Sequence, residues 1–156
     1  MIGIVIASHG QFAEGLMDTC RCFFPQGLPQ MKSCVLRQED DPLIFQDEIE
    51  NAIFEVNTGE GVIVLCDLLG GTPANSCTRI MMKNNDPSIQ FIAGLNLSLL
   101  LELLGLRLNL ISVQDLNISE LLELARKDLV SLNQRVMTSQ SFESDFIYDQ
   151  EFPYDD

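Results

Sequence analysis

The stretch Ile2-Gly-Ile-Val-Ile-Ala7, which runs directly into Ser8-His9-Gly10, decides the fold class of this chain. It is a continuous β-branched run, which is typical of a strand buried on both faces of a sheet. Apolar residues at helical spacing follow it, and Pro25 and Gly27 close that helix. A buried strand followed by an amphipathic helix is the unit from which parallel α/β sheets are built.

Three further strand-and-helix units follow along the chain. Strands are predicted at residues 33–37, 61–66 and 89–94. Helices are predicted from Pro42 to about Phe54, from near Pro73, and over residues 97–104 with Asn96 as the N-cap. We therefore predict an α/β fold with a mainly parallel four-stranded sheet flanked by helices.

Beyond Gly105 the hydrophobic pattern is less regular. Residues 106–112 alternate like a strand, and a loop or an extension of the preceding helix is the alternative. An amphipathic helix is predicted from Ile118 to about Leu132, with one apolar face formed by Leu121, Leu122, Ala125 and Leu129. The alternatives with and without an additional C-terminal antiparallel strand in the sheet stay open.

The composition predicts one folded domain and a tail. A chain of 156 residues that is 46% hydrophobic is long enough for one packed core, which we expect in residues 1–135. Residues 136–156 contain six acidic residues and no basic one, mixed with aromatic residues. We expect this segment to be a flexible or partner-docking extension.

Charge and residue counts exclude several classes of protein. A formal charge of -14 argues against a nucleic-acid binder. No apolar run reaches the roughly 18–20 residues of a membrane span, and the N-terminus lacks the basic flank of a signal peptide. Five cysteines, an odd number set mostly in apolar runs, suit reduced thiols in a cytoplasmic protein. The single histidine excludes a metal site built on a histidine cluster, so no metal and no cofactor are predicted.

Two segments lie where ligands bind in an open α/β sheet, beyond the carboxyl ends of strands. His9 ends the first strand, and the segment from Asp67 to Thr72 follows the third. An imidazole is a competent nitrogen nucleophile, and a carboxylate bonded to its other ring nitrogen fixes the tautomer. Gly70-Gly71-Thr72 before a helix offers backbone N–H groups to a phosphoryl group. Together these residues predict phosphoryl transfer onto histidine without a metal.

Each of these residues also has a plainer interpretation. A lone histidine is more often a surface or core residue than a nucleophile, and Asp67 has the alternative role of a helix cap. The glycine pair is also compatible with a simple tight turn before Pro73. Ser8 lacks the Gly-x-Ser-x-Gly pattern of a hydrolase nucleophile. A receiver-type domain phosphorylated on aspartate is disfavoured because the first strand does not end in an acidic pair.

Two separated motifs resemble a known family. Gly3-Ile-Val-Ile-Ala-Ser-His-Gly10 and Val62-Ile-Val-Leu-Cys-Asp-Leu-Leu-Gly-Gly-Thr-Pro-Ala-Asn75 are similar to the EIIA domains of the mannose class of the bacterial phosphoenolpyruvate:sugar phosphotransferase system. Phe91-Ile-Ala-Gly-Leu-Asn96 matches as well. The resemblance covers roughly residues 1–135.

The resemblance implies a doubly wound α/β domain. It also implies a cytoplasmic phosphotransferase with a phosphohistidine intermediate. His9 would accept a phosphoryl group on Nε2 from the phosphocarrier HPr and pass it to EIIB. Asp67 would hold the Nδ1–H group, and Gly70, Gly71 and Thr72 would lie against the phosphoryl group. The membrane components EIIC and EIID would be reached indirectly, and we expect EIIB to be a separate chain. The alternative is a regulatory phospho-acceptor domain of the same fold, whose phosphorylation state is read by a partner protein.

The family further implies a homodimer, formed through a short strand near the C-terminal end of the domain. In this chain that strand would fall at about residues 133–137.

Overall fold

Four strands and six α-helices form the part of the chain that the computed structural model describes, residues 1–138. The strands are β1 (Gly3–His9), β2 (Met31–Leu36), β3 (Val62–Cys66) and β4 (Ile89–Ala93). The helices are α1 (Phe12–Phe23), α2 (Pro42–Val56), α3 (Thr72–Asn84), α4 (Leu97–Leu106), α5 (Ile118–Lys127) and α6 (Leu132–Thr138), and a 3₁₀ turn spans Val113–Asp115.

The strands form one parallel sheet in the order β2-β1-β3-β4. His9 pairs with Leu36 across β1 and β2, and Ala7 pairs with Cys66 across β1 and β3. After β1 the chain builds one side of the sheet, and from β3 onward it builds the other. The strand order therefore reverses between β1 and β3, and the predicted doubly wound, four-stranded α/β fold is confirmed.

Successive residues of β1 face opposite sides of the sheet, and both sides are covered. Ile4 and Ile6 pack against residues of α1, α4 and α5. Val5 and Ala7 pack against residues of α2 and α3. Full burial of aliphatic side chains of this size contributes about 1.5–3 kcal/mol each. The continuous apolar run that opens the chain is thus explained by a central strand with no solvent-facing side.

Helices α2 and α4 begin at the residues predicted from the sequence. The Leu43 N–H donates to the Asp41 side chain at 2.7 Å, and Pro42 is the first residue of α2. The Leu99 N–H donates to the Asn96 side chain at 2.9 Å, so Asn96 caps α4. Side-chain caps of this kind contribute about 1 kcal/mol each.

The strand interpretation of residues 106–112 is wrong. Helix α4 continues to Leu106, and the Asn109 N–H then closes a turn on the Leu106 carbonyl at 3.0 Å. Burial does not follow the sequence alternation, because Arg107 is buried while Leu108 is exposed. Of the two alternatives, a helix extension followed by a loop is what the structure contains.

The predicted helix from residue 118 to about 132 is shorter than expected. It ends at Lys127, and the Leu129 N–H closes a three-residue turn on the Arg126 carbonyl at 3.2 Å. Leu121 and Ala125 are buried as predicted, but the placement of Leu129 on that face is wrong, since it is 92% exposed. Ser131 then accepts a hydrogen bond from the Gln134 N–H at 3.4 Å and starts a new helix.

That new helix, α6, occupies residues 132–138, where the family resemblance placed a short strand. Within residues 1–138 the sheet has no strand beyond β4, so the additional antiparallel strand is absent from this part of the chain. Most of the predicted tail, from residue 139 to 156, lies outside the described residues. None of the helices in the described part combines the length and the apolarity that crossing a membrane requires.

Candidate functional site

The site lies at the carboxyl edge of the sheet, where β1 and β3 end side by side. His9 is the last residue of β1, and Asp67 follows the last residue of β3. Their side chains are in contact, with His9 Nδ1 2.9 Å from Asp67 Oδ2. The two residues are 58 positions apart in sequence and meet because the strand order reverses between their strands.

Three N–H groups converge on the Asp67 carboxylate. Oδ2 accepts from the backbone N–H of His9 at 2.8 Å as well as from the ring, and Oδ1 accepts from the Leu68 N–H at 2.7 Å. An ionised carboxylate only accepts hydrogen bonds, so Nδ1 of His9 carries the ring proton. In the neutral ring the lone pair is therefore on Nε2. The His9 side chain is 47% exposed and that of Asp67 only 15%, so the ring nitrogen with the free lone pair belongs to the more exposed of the two side chains.

The loop between β3 and α3 lies directly against the imidazole. A Cβ atom on Gly71 would stand 2.8 Å from His9 Cε1 and 3.6 Å from Nε2. Gly71 has an ordinary φ of -72°, so its lack of a side chain serves this close approach and not the backbone. Gly70 is different, because its φ of +81° favours glycine while the space around it is open. The Gly71 N–H donates within the loop to the Leu68 carbonyl at 3.1 Å.

Helix α3 begins at Thr72, beside the ring. The first N–H groups of a helix have no acceptor inside it, and the helix dipole favours negative charge at this end. The residues predicted from sequence, namely His9, Asp67, Gly70, Gly71 and Thr72, are therefore brought together at one place.

A third strand end, which was not predicted from the sequence, also lies at the site. A surface groove of about 580 Å³ extends from His9 toward the residues that follow β2. It is lined by His9, Gly10, Leu36, Arg37, Gln38, Asp40, Pro42 and Thr72. No local sequence pattern indicates this, because the residue after β2 ends beside His9 only when β2 is the neighbour of β1 on its other side.

Apolar side chains border the site on the β3 side. Leu68 is 62% exposed and Leu69 is 82% exposed, although both directly follow a fully buried strand. Neighbouring exposed apolar side chains are typical of a surface that another protein covers.

Ser8 is fully buried, and its hydroxyl accepts a hydrogen bond from the Ala13 N–H at 2.9 Å. It holds the start of α1 and does not face the groove. In residues 1–138, no group of three or more His, Cys, Asp or Glu side chains is arranged to hold a metal ion.

Buried thiols lie in the core beneath the site. Burial raises the pKa of the Cys34 thiol to about 12. A hydrogen bond between Cys66 and Cys77 lowers the pKa of Cys66, and the same bond together with burial raises that of Cys77. Cys34 and Cys77 are therefore protonated at neutral pH and act as small apolar side chains.

Comparison with protein families identifies the chain. Residues 3–119 match the model of the EIIA-man family, described as the fructose IIA component of the phosphotransferase system. The chain belongs to the EIIA-man family. It is accordingly a component of a sugar phosphotransferase system, and the resemblance found in its sequence motifs is confirmed.

Individual EIIA relatives agree with this assignment. The fructose-specific EIIA component of Bacillus subtilis (strain 168) is 28% identical over 143 residues, which are 92% of this chain and 86% of that protein. The mannose-specific EIIAB component of Escherichia coli (strain K12) is 31% identical over 107 residues, 68% of this chain and 32% of that longer protein. The crystal structure of a IIA protein associated with the fucose utilization operon of Streptococcus pneumoniae has a TM-score of 0.75 and 29% identity, covering 86% of this chain and 95% of that one.

Proposed function

We propose that this EIIA-man chain is a phosphocarrier, which accepts a phosphoryl group from phospho-HPr on His9 and passes it to an EIIB protein during sugar uptake. The observation that carries the proposal is the 2.9 Å contact of His9 Nδ1 with Asp67, which leaves Nε2 as the free nitrogen of a half-exposed ring. The match to the EIIA-man family supports the same chemistry.

In the proposed step, the Nε2 lone pair of His9 attacks the phosphorus of the donor phosphohistidine. The donor P–N bond breaks as the new P–N bond forms, and the bonding electrons return to the donor imidazole. The positive charge that the donor ring loses appears on the His9 ring, so no proton has to leave or enter. Asp67 stabilises this new charge through the Nδ1–H bond, as an orienting carboxylate does in other histidine-based sites.

The surroundings of His9 suit transfer between proteins. In-line transfer requires a donor ring to approach Nε2 directly, and an open groove permits this approach. We propose that exposed Leu68 and Leu69 form part of the docking surface and exclude water once a partner is bound. The helix α3 N-terminus and the Gly70-Gly71-Thr72 loop would face the phosphoryl oxygens.

The wider context follows from the same proposal. The phosphoryl group would reach the membrane components EIIC and EIID only through EIIB, so this chain would not contact the sugar. We further propose a cytoplasmic location. We also propose a homodimer, which light scattering on the purified protein tests. We also propose that residues 1–135 form the phosphocarrier domain and that residues 136–156 form a separate acidic tail.

The decisive experiment is intact-mass analysis after incubation with phosphoenolpyruvate, Enzyme I and HPr. We expect one acid-labile phosphoryl group on the wild type and none on His9→Ala, which should stay folded and melt only about 2–4 °C lower, because it loses the partly exposed bond to Asp67. Subsequent addition of the cognate EIIB should remove the group. No gain with HPr from the source organism, or a gain retained in His9→Ala, would refute the proposal.

Asp67→Asn separates the orienting role from the nucleophile. An amide would place its NH₂ group against at least one of the three N–H donors that now meet the carboxylate, and it would remove the negative charge. Loss of a charge-assisted hydrogen bond of about 1.5–3 kcal/mol predicts transfer roughly ten- to a hundredfold slower. An unchanged single-turnover rate would exclude this role for Asp67.

A further inference from the structure

We propose that Arg37 binds the phosphoryl group at His9, as the cationic side chain of this site. The inference rests on the proposed phosphocarrier function and adds a binding residue that the site motifs do not contain. It begins with strand β2, which lies beside β1 and ends at Leu36, the register partner of His9.

Strand pairing places Arg37 next to the nucleophile. Adjacent strands lie about 4.8 Å apart, and Arg37 is one residue beyond the position paired with His9. Both residues line the same groove, with Thr72 of the helix α3 N-terminus as a further lining residue. The separation is within the length of an extended arginine side chain.

A hydrogen-bonded turn holds the backbone of Arg37. Its N–H donates to Asp40 Oδ2 at 2.7 Å, and the Asp40 N–H donates back to the Arg37 carbonyl at 3.2 Å. The Arg37 side chain is exposed and forms no ion pair with any carboxylate of residues 1–138. The attachment point is therefore fixed by the turn, while the guanidinium is available to a ligand.

The negative charges around the groove explain why a phosphoryl group would need a cation at this place. Arg37 is the one lysine or arginine among the groove-lining residues, whereas Asp40 lines the groove and Asp67 lies beneath the ring. A phosphoryl group carries about 1.5 to 2 negative charges near neutral pH, so carboxylates alone would repel it. Guanidinium presents paired donors that match phosphoryl oxygens, and it stays protonated throughout transfer. In the transfer step it would bind the equatorial oxygens while the P–N bonds exchange in line.

The test compares Arg37→Gln and Arg37→Lys with the wild type and with Arg79→Gln as a matched control. Arg79 is also an exposed arginine without an ion pair in the described residues, and it lies seven residues into α3, about 10 Å along the helix from Thr72. The rate of phosphoryl gain is measured by intact mass with two donors, phospho-HPr and the small molecule phosphoramidate. In the second reaction the P–N bond of phosphoramidate breaks and ammonia leaves. Since His9 is the chain's only histidine, an untagged protein reports that site alone.

We expect Arg37→Gln to react about tenfold more slowly with both donors, Arg37→Lys to recover part of the rate, and Arg79→Gln to match the wild type. Equal rates for Arg37→Gln and the wild type with both donors would overturn the proposal. A loss seen only with phospho-HPr would also overturn it, because Arg37 would then bind a carboxylate of the partner protein.

The two donors separate this inference from the proposed function. If phosphoramidate labels the wild type and phospho-HPr does not, the proposed phosphocarrier function is refuted. The rates of the Arg37 variants are then still compared with phosphoramidate as the donor. If neither donor labels His9, both proposals are refuted.

Discussion

Replacing Gly71 with alanine is expected to slow phosphoryl acceptance at His9 by more than it destabilises the fold. The new Cβ would stand 2.8 Å from His9 Cε1, whereas ordinary contacts begin at about 3.4 Å, so the ring has to retreat by about 0.6 Å. A shift of that size lengthens the 2.9 Å bond from Nδ1 to Asp67 to as much as about 3.5 Å, outside the usual range for an N–H···O hydrogen bond.

The magnitudes of the two effects differ. Loss of this partly exposed bond lowers the free energy of unfolding by about 1 kcal/mol, which shifts the melting temperature by about 2–4 °C. A reacting group displaced by about 1 Å loses on the order of a hundredfold in rate, so we expect about a tenfold slower transfer here. Thermal unfolding and single-turnover transfer from phospho-HPr measure the two quantities.

Gly59→Ala, in the loop before β3 and away from the carboxyl edge of the sheet, is the matched control. A Cβ on Gly59 meets open space, but its φ of +109° imposes about 1–3 kcal/mol of backbone strain on alanine. This variant should lose at least as much stability as Gly71→Ala while keeping a transfer rate close to that of the wild type. A wild-type rate in Gly71→Ala, or equal slowing in both variants, would refute the reasoning from ring contact.

Three further predictions concern the rest of the molecule. Of the five thiols only Cys22 is exposed, so a thiol reagent should modify one group rapidly in the folded protein and the other four only on unfolding. The hydroxyl and N–H of Ser88 hold the pKa of Asp86 below its usual range. In chemical denaturation at several pH values, Asp86→Ala should therefore be less stable than the wild type at neutral pH, and the difference should vanish as the pH falls through that lowered pKa. Leu121→Ala should lower the free energy of unfolding by about 2–5 kcal/mol, whereas Leu129→Ala should leave it within about 0.5 kcal/mol; equal losses would contradict the observed end of α5.

The central sheet and the pairing of His9 with Asp67 were predictable because both depend on apolar strand sequences and on the polar residues directly after them. A β-branched run without polar residues indicates a strand buried on both faces, and polar residues directly after such strands fall at one edge of a parallel sheet. No detail of packing is needed for that inference. The roles of His9 and Asp67 in transfer stay predictions until the labelling experiment is done.

Arg37 could not be singled out in the same way. Its place beside His9 depends on β2 being the neighbour of β1, and strand order is a property of the whole sheet and not of any local pattern. The contact between Gly71 and the ring depends on the loop path in the same way.

Two predictions beyond Gly105 were wrong for a different reason, namely the strand at residues 106–112 and the helix that was expected to continue past Leu129. Apolar periodicity reports which residues are available for burial, but Leu108 and Leu129 are exposed because the chain turns before them. Hydrogen bonds that close three-residue turns, as at Arg126, leave no periodic trace in the sequence.

If the chain is the proposed phosphocarrier, the double attachment of His9 to Asp67 affects how partner proteins would distinguish its unphosphorylated and phosphorylated states. One oxygen accepts from both the backbone and the ring of the same residue, so the imidazole orientation is already set before any phosphoryl group arrives. Loading the carrier would therefore require little rearrangement. An empty and a loaded molecule would then present nearly the same shape, and a partner would tell them apart by the added negative charge alone.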